Sequence, residues 1–289
     1  MMATATKIIL ICAIVYAIII AIAFVAQRKL TYFPSTTHVL PIDIGLENVE
    51  ELTLTTPDGE RVLAWYGRAQ PGQPTLLYFH GNGGNLAVRS ERMRRYLQRG
   101  RGMLMMTYRG YSGSSGSPSE RANLADARLA YDRLIADGVA PADIVLYGES
   151  LGSGIATRLA TQVPVGGIIL ESPYTSIAEV GQSRYPFLPV RYLMQDRYEQ
   201  LGCIGGIRAP LLVVHGQRDR VVPFEMGEAV FKAAPEPKEF LPLPRAGHND
   251  HHLNGQFEAI GNWIDRLRAG EFATQKASSS PQQSGTPCA

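Results

Sequence analysis

The run Gly148-Glu149-Ser150-Leu151-Gly152 sets a serine between an apolar stretch, Ile144-Val145-Leu146-Tyr147, and a helix-prone stretch from Leu151 to Gln162. A serine at such a sharp strand-to-helix turn has a strained backbone and an oxygen that points out of the fold. Small residues two positions to either side let strand and helix come close enough to make the turn. A hydroxyl is a weak nucleophile, so it needs a base to take its proton and a carboxylate to orient that base. Downstream, His248 in Arg245-Ala246-Gly247-His248-Asn249-Asp250 follows the last strand-like stretch and suits the base. Asp219 ends the run Leu211-Leu212-Val213-Val214-His215-Gly216-Gln217-Arg218-Asp219, where a buried strand passes into a loop, and suits the acid. Glu171, closing the preceding strand, is the alternative acid and Asp196 a further one, while His251 and His252 compete with His248.

Attack on a carbonyl builds negative charge on its oxygen, which two backbone N–H groups can hold. Leu151, directly after the serine and at the positive end of the next helix, is expected to supply one. The loop His80-Gly81-Asn82-Gly83-Gly84-Asn85 should supply the other, and the N–H of Asn82 is the expected donor. A phosphate-binding loop is disfavoured there, because no Gly-Lys-Ser/Thr follows. No metal or cofactor is called for by this chemistry, and three widely spaced cysteines give no sign of a zinc site or a thiol nucleophile.

These groups need a frame. Val49–Thr55 and Arg61–Tyr66 alternate about the turn Pro57-Asp58-Gly59, which predicts an antiparallel hairpin. Continuous apolar runs predict buried strands at Thr75–Phe79, Met103–Tyr108, Ile144–Tyr147, Gly167–Leu170, Leu211–Val214 and Glu239–Leu243. Helices are expected over Asn85–Gln98, Ser119–Asp137, Leu151–Gln162, Phe224–Ala233 and Phe257–Leu267. Strands alternating with helices give an α/β class with a mostly parallel sheet covered on both faces. The pattern breaks between Pro173 and Arg208, where proline and aromatic residues concentrate. A short cap over the catalytic edge, at about 174–208, is expected there. From Ala269 to Ala289 the chain is rich in Ser, Gln and Pro and reads as a disordered tail.

A chain of 289 residues with 45% hydrophobic and 19% charged side chains can bury a full core, and a net charge of +2 is too small to suggest a nucleic-acid partner. Residues 8–26 carry no charge; at about 1.5 Å per residue they extend roughly 28 Å, close to the hydrocarbon thickness of a bilayer. Residues 1–29 are therefore expected to form a single-pass membrane anchor that holds the protein to a lipid bilayer. A cleaved signal peptide, cut after Ala21-Ile22-Ala23, is the alternative. Lys7 on one side and Arg28 and Lys29 on the other leave the orientation open, with a slight lean towards an extracytoplasmic domain. Five arginines, Arg89, Arg92, Arg94, Arg95 and Arg99, make the first long helix of the body basic. That suits a solvated face or contact with anionic headgroups. Tyr108-Arg109-Gly110-Tyr111-Ser112-Gly113, at a strand end, could line the site.

His80–Asn85, Tyr108–Gly113, Gly148–Gly154, Glu171-Ser172-Pro173-Tyr174 and Ala246–Asp250, in that order, resemble the single-pass, membrane-anchored α/β-hydrolases of the Bem46-like branch, relatives of the eukaryotic protein depalmitoylases. The resemblance covers roughly residues 28–268. It implies an α/β-hydrolase fold over residues 30–268 with Ser150 as nucleophile, Asp219 as acid and His248 as base. The expected activity is hydrolysis of an acyl ester or thioester, on a lipid-like substrate because an anchor would hold the site near a bilayer. A serine peptidase of related fold is a second expectation, weakened because such enzymes usually need a large gating domain. A non-catalytic, membrane-tethered binding protein is a third, since fold does not imply activity.

Overall fold

The computed structural model describes residues 2–272. In chain order the elements begin with helix α1 (Met2–Thr31) and a two-residue strand β1 (Phe33–Pro34), followed by β2 (Val49–Thr55), β3 (Arg61–Gly67), β4 (Thr75–Phe79), β5 (Gly83–Gly84), α2 (Ser90–Gln98) and β6 (Gly102–Met106). Then come α3 (Glu120–Ala136), β7 (Ile144–Glu149), α4 (Leu151–Ala160), β8 (Gly167–Glu171), α5 (Ile177–Arg184) and α6 (Val190–Leu193). The chain continues with β9 (Leu211–Gly216), α7 (Phe224–Ala233), β10 (Lys238–Leu243) and α8 (Gln256–Arg268).

Eight strands form one sheet in the order β10-β9-β8-β7-β4-β6-β3-β2. From β10 to β6 all neighbours are parallel. At the other edge β3 runs antiparallel to β6, and β2 antiparallel to β3. Successive strand residues point to opposite faces, so a strand with a helix layer on each side must be apolar at every position. In β4, Leu76 and Tyr78 pack with Met93 and Tyr96 of α2 and Ile260 and Trp263 of α8. Leu77 and Phe79 pack instead with Ala127 and Leu134 of α3 and Ile155 and Leu159 of α4. Alternation of burial survives in the edge strand β2.

The chain leaves β4 for β6 on one side, then returns past β4 to β7 on the other. The connections therefore diverge at the carboxyl ends of β4 and β7, which leaves a crevice between them. The loop 80–85 and Ser150 both stand at that crevice. Helix α2 starts five residues later than expected, because Gly83-Gly84 is taken up by pairing with Phe33-Pro34. Asn85 Oδ1 then accepts from the Val88 N–H at 3.3 Å, and a 3₁₀ turn, Ala87–Arg89, leads into the helix.

The segment between β8 and β9 carries α5 and α6, with Ser176 capping α5 by accepting from the Glu179 N–H at 3.1 Å. Against it lies the far end of α1. Tyr16 Oη donates to the carbonyl of Phe187 at 2.7 Å, Gln27 Oε1 accepts from the Gln195 N–H at 2.7 Å, and Arg28 pairs with Asp196 at 3.0 Å. Tyr32 Oη meets Tyr198 Oη at 2.9 Å. Among the described residues α1 is the helix long and apolar enough to cross a membrane, a property that a signal sequence shares. Of the tail expected from Ala269, residues 273–289 lie outside the described residues; Phe272 is buried against Trp263.

Candidate active site

Ser150 has φ 49° and ψ −117°, a conformation that costs an L-residue strain and persists only where the surroundings impose it. The surroundings do. A Cβ on Gly152 would land on the carbonyl oxygen of Phe79, and one on Gly148 would collide with the backbone of Gly152 and Ser153. The Ser150 N–H donates to Glu171 O at 2.8 Å, which ties the turn to β8. Strand β7 thus runs hard into α4, and the serine oxygen is left facing the crevice.

Ser150 Oγ lies 3.0 Å from His248 Nε2, and His248 Nδ1 lies 2.7 Å from Asp219 Oδ2. A proton on Nδ1, donated to the carboxylate, leaves Nε2 as the acceptor facing the hydroxyl. The Asp219 carboxylate is itself held. Its Oδ1 accepts from the N–H groups of Val221 and Val222, both at 2.8 Å, and its Oδ2 accepts from Ser172 Oγ at 3.0 Å. Burial pushes the Asp219 carboxyl up, but hydrogen bonds from His215, His248 and the Val222 N–H outweigh it and hold the group well below the usual carboxylate range. The His248 loop packs on Gly216, where a Cβ would meet the carbonyls of Ala246 and Gly247.

Leu151 opens α4, so its N–H has no carbonyl one turn earlier in the helix to bond. Asn82 is fastened by its other polar groups. Its carbonyl accepts from Tyr111 Oη at 2.6 Å and the Phe33 N–H at 2.9 Å, and its side-chain amide donates to Thr31 O at 3.0 Å. Asn82, Ser150 and Leu151 line one cavity. His80 lies behind them, stacked 4.1 Å from the Tyr108 ring; burial and then the Arg89 charge drive it far below the ordinary histidine range, so it is neutral. Segment 108–113 does not line this cavity. Tyr108 and Tyr111 brace the loop from behind, and Arg109 is committed to Asp58 at 2.6 Å and Asp126 at 2.8 Å.

Glu171, the alternative acid, does not reach His248. Pairing of β7 with β8 sets Glu149 beside Glu171 at the strand ends. A buried carboxylate beside a partly buried one requires cations, and Arg92 reaches Glu171 at 2.9 Å and Glu149 at 3.2 Å, with Arg89 3.5 Å from Glu149. Tyr78 Oη bonds Glu149, Tyr147 Oη donates to Glu171 at 2.6 Å, and His251 Nδ1 meets Glu171 at 2.9 Å. Burial raises both carboxyls, but the arginine charges more than reverse it, and both sit below their ordinary values. Asp196, the other acid considered, is spent on Arg28 and Tyr32. Four of the five arginines of the basic helix are engaged within the protein: Arg89 and Arg92 turn inward, Arg94 and Arg95 pair with Glu91, and Arg99 is exposed. No headgroup contact is needed to explain it.

His251 is buried, which lowers its pKa, yet the hydrogen bond and charge of Glu171 outweigh burial and raise it above 6.5. A raised histidine stabilises the fold fully below its unfolded pKa, and loses that contribution as pH rises through the folded value. The His251→Gln variant should therefore be less stable than the parent by about 2 kcal/mol near pH 6. The gap should narrow as the solution becomes alkaline. Urea midpoints at stepped pH check this, and a gap that widens with pH would contradict it.

The cavity beside Ser150 has a volume of about 550 Å³. Val180, Leu188 and Leu193 line it from the cap, and Ala23, Phe24 and Gln27 line it from α1. Its charged lining residues are Arg184 and Arg220, with no carboxylate among them. The structure thus brings together Ser150, Asp219, His248, Leu151 and Asn82. Sequence reasoning missed Ser172, which bonds Asp219, and the α1 residues in the cavity wall. A clue to Ser172 was present: it follows Glu171 at the strand end next to the serine turn.

Residues 76–202 match the alpha/beta hydrolase family. An uncharacterized protein of Mycobacterium tuberculosis is 38% identical over 252 residues, covering 86% of this chain and 90% of that protein. The alpha/beta hydrolase domain-containing protein 17B of Homo sapiens is 32% identical over 234 residues, covering 79% of this chain and 76% of its own length. Among solved structures, an esterase of Pyrococcus furiosus superposes with a TM-score of 0.62 at 18% identity, over 86% of this chain and 97% of that one, and so shares the fold.

Proposed function

Because the chain belongs to the alpha/beta hydrolase family, we propose that it is a serine hydrolase of carboxylesterase type, cleaving acyl esters or thioesters through an acyl-enzyme on Ser150. The observation that carries this is the unbroken line from Ser150 Oγ to His248 Nε2 at 3.0 Å and from His248 Nδ1 to Asp219 Oδ2 at 2.7 Å. Ser150 Oγ attacks the acyl carbon while its proton passes to His248 Nε2. Asp219, kept ionised by its donors, stabilises the imidazolium. The N–H groups of Leu151 and Asn82 hold the oxyanion, aided by the positive end of α4. His248 then returns the proton to the departing alcohol or thiol. A water molecule, deprotonated by His248, attacks the acyl-enzyme, releases the acid and restores Ser150.

Residues 8–26 act as a single-span anchor for the domain over 30–268 in this proposal. The support is that α1 makes specific side-chain bonds to the cap on both sides of the candidate cleavage point at Ala21–Ala23. A peptidase is disfavoured because the cavity offers two arginines and no carboxylate to receive the ammonium of an aminoacyl group.

The test uses the full chain in detergent micelles. A fluorophosphonate should label it at Ser150, and p-nitrophenyl esters or acyl thioesters should turn over faster than aminoacyl p-nitroanilides. Faster anilide cleavage would establish the peptidase. No labelling and no turnover would leave a binding protein. Ser172 is a positioning residue in this scheme, since it touches Asp219 and not the substrate. Ser172→Ala should lower kcat roughly ten-fold with KM little changed, because one hydrogen bond to a charged group is removed.

A further inference from the structure

We propose that the end of α1 is one wall of an acyl-chain site, and that the chain of the substrate reaches Ser150 sideways, through the seam between α1 and the cap. This rests on the hydrolase reading above and names what the site accepts: an ester or thioester of a single long acyl chain, drawn from a lipid phase.

Ala23, Phe24, Gln27, Leu30 and Thr31 all face the cavity. Spacings of three and four residues put them on one stripe of the helix. Val180, Leu188 and Leu193 of the cap face them across the space. Ser150 and Leu151 close its inner end, so whatever fills the space is continuous with a carbonyl bound at the nucleophile. A polar acyl group would lose its water partners against these apolar side chains, whereas a hydrocarbon chain loses water and gains apolar contact.

The stripe also overlaps the uncharged run of residues 8–26 at Ala23 and Phe24. Tyr16, bonded to Phe187 of the cap, stands about 10 Å further out along α1. The cap at that level shows bare aromatic side chains, with Phe187 64% exposed and Tyr192 89% exposed. Exposed aromatic rings beside an apolar helix suit contact with a lipid phase. The seam is pinned at its outer end by Tyr16 and at its inner end by Gln27 and Arg28. Residues 17–26 of α1 between those pins are all apolar. A chain lying in a leaflet and passing between α1 and the cap therefore meets only apolar side chains on the α1 side of the seam, with Arg184 of the cap at its edge. In this arrangement α1 serves selection as well as tethering.

The test compares the full-length protein with Ala23→Trp, which fills the cavity from α1, and Val180→Trp, which fills it from the cap. Val25→Trp is the control, since Val25 is 84% exposed and is not part of the cavity lining. Each is assayed in mixed micelles with p-nitrophenyl acetate and p-nitrophenyl palmitate, and by fluorophosphonate labelling. Both cavity variants should lose roughly ten-fold or more of kcat/KM on palmitate. Labelling and acetate turnover should persist, and the control should behave as the parent. Ala23→Trp that labels normally but changes both esters equally, or neither, overturns the proposal. If Ala23→Trp does not fold, Val180→Trp decides by the same comparison. If the parent itself neither labels nor cleaves either ester, the hydrolase reading fails and this inference with it; intact acetate turnover with unaltered chain preference sinks the inference alone.

Discussion

Ser150→Ala is expected to lower kcat on an ester substrate by roughly 10⁴- to 10⁶-fold and to abolish fluorophosphonate labelling. The reason is that, in the proposed mechanism, the hydroxyl, the imidazole and the carboxylate act as one unit. The 3.0 Å contact to His248 has no purpose in proton transfer without an oxygen to deprotonate, and the 2.7 Å bond to Asp219 orients a ring that has lost its partner. His248→Ala should therefore cost about as much as Ser150→Ala, and the double variant little more than either. Residual turnover would come from binding and the oxyanion donors. Turnover measured in the full chain, with thermal unfolding to confirm that each variant is folded, checks both statements. Losses that multiply in the double variant would mean that the two side chains act independently, and the assigned roles would be wrong.

The largest effect on stability should come from Arg92→Met. Arg92 is the cation shared by the buried carboxylate of Glu171 and the partly buried one of Glu149. Removing it leaves Glu149 with Arg89 and Glu171 with His251 as their remaining charged partners, a partial loss of compensation that should cost about 3 kcal/mol. The pH dependence has a definite sign. In the parent both carboxyls sit below their ordinary values, so their contribution is present above the unfolded pKa and disappears as pH falls through the folded one. Without Arg92 the remaining partners, Arg89 and His251, offset burial less, so both carboxyls shift upward and the variant gains less from their ionisation as pH rises. The stability gap should accordingly widen from about pH 4 to pH 7. Denaturant midpoints across that range measure it. A gap that is flat with pH would show that Arg92 acts by packing rather than by charge.

The parallel strands were readable because burial on both faces forces every position to be apolar. Thr75–Phe79 and Ile144–Tyr147 show it without ambiguity. Ser150, Asp219 and His248 were readable because each sits where such a strand ends, and strand ends in a parallel sheet gather on one rim. What stayed hidden depends on register and on approach between distant segments. Nothing local says that Glu149 and Glu171 become neighbours; that follows from the pairing of β7 with β8. Nor does a helix crowded with arginines announce that two of them point inward, although Arg89 and Arg92 share the spacing of Met93 and Tyr96, the buried face of α2. The packing of α1 on the cap was concealed for a different reason. A helix apolar all round offers no periodic contrast to mark the side that meets the cap.

The pairing of Phe33-Pro34 with Gly83-Gly84 makes the helix and the loop that carries Asn82 a single mechanical linkage. In the proposed mechanism Asn82 donates to the oxyanion, so tilting or dragging α1 would pull on the peptide groups beside that donor and alter the geometry there. Solubilising the enzyme is then a question of where the scissors fall. A cut before Ile20 spares the splice, whereas a cut after Pro34 frees the loop and slackens the donor that it carries.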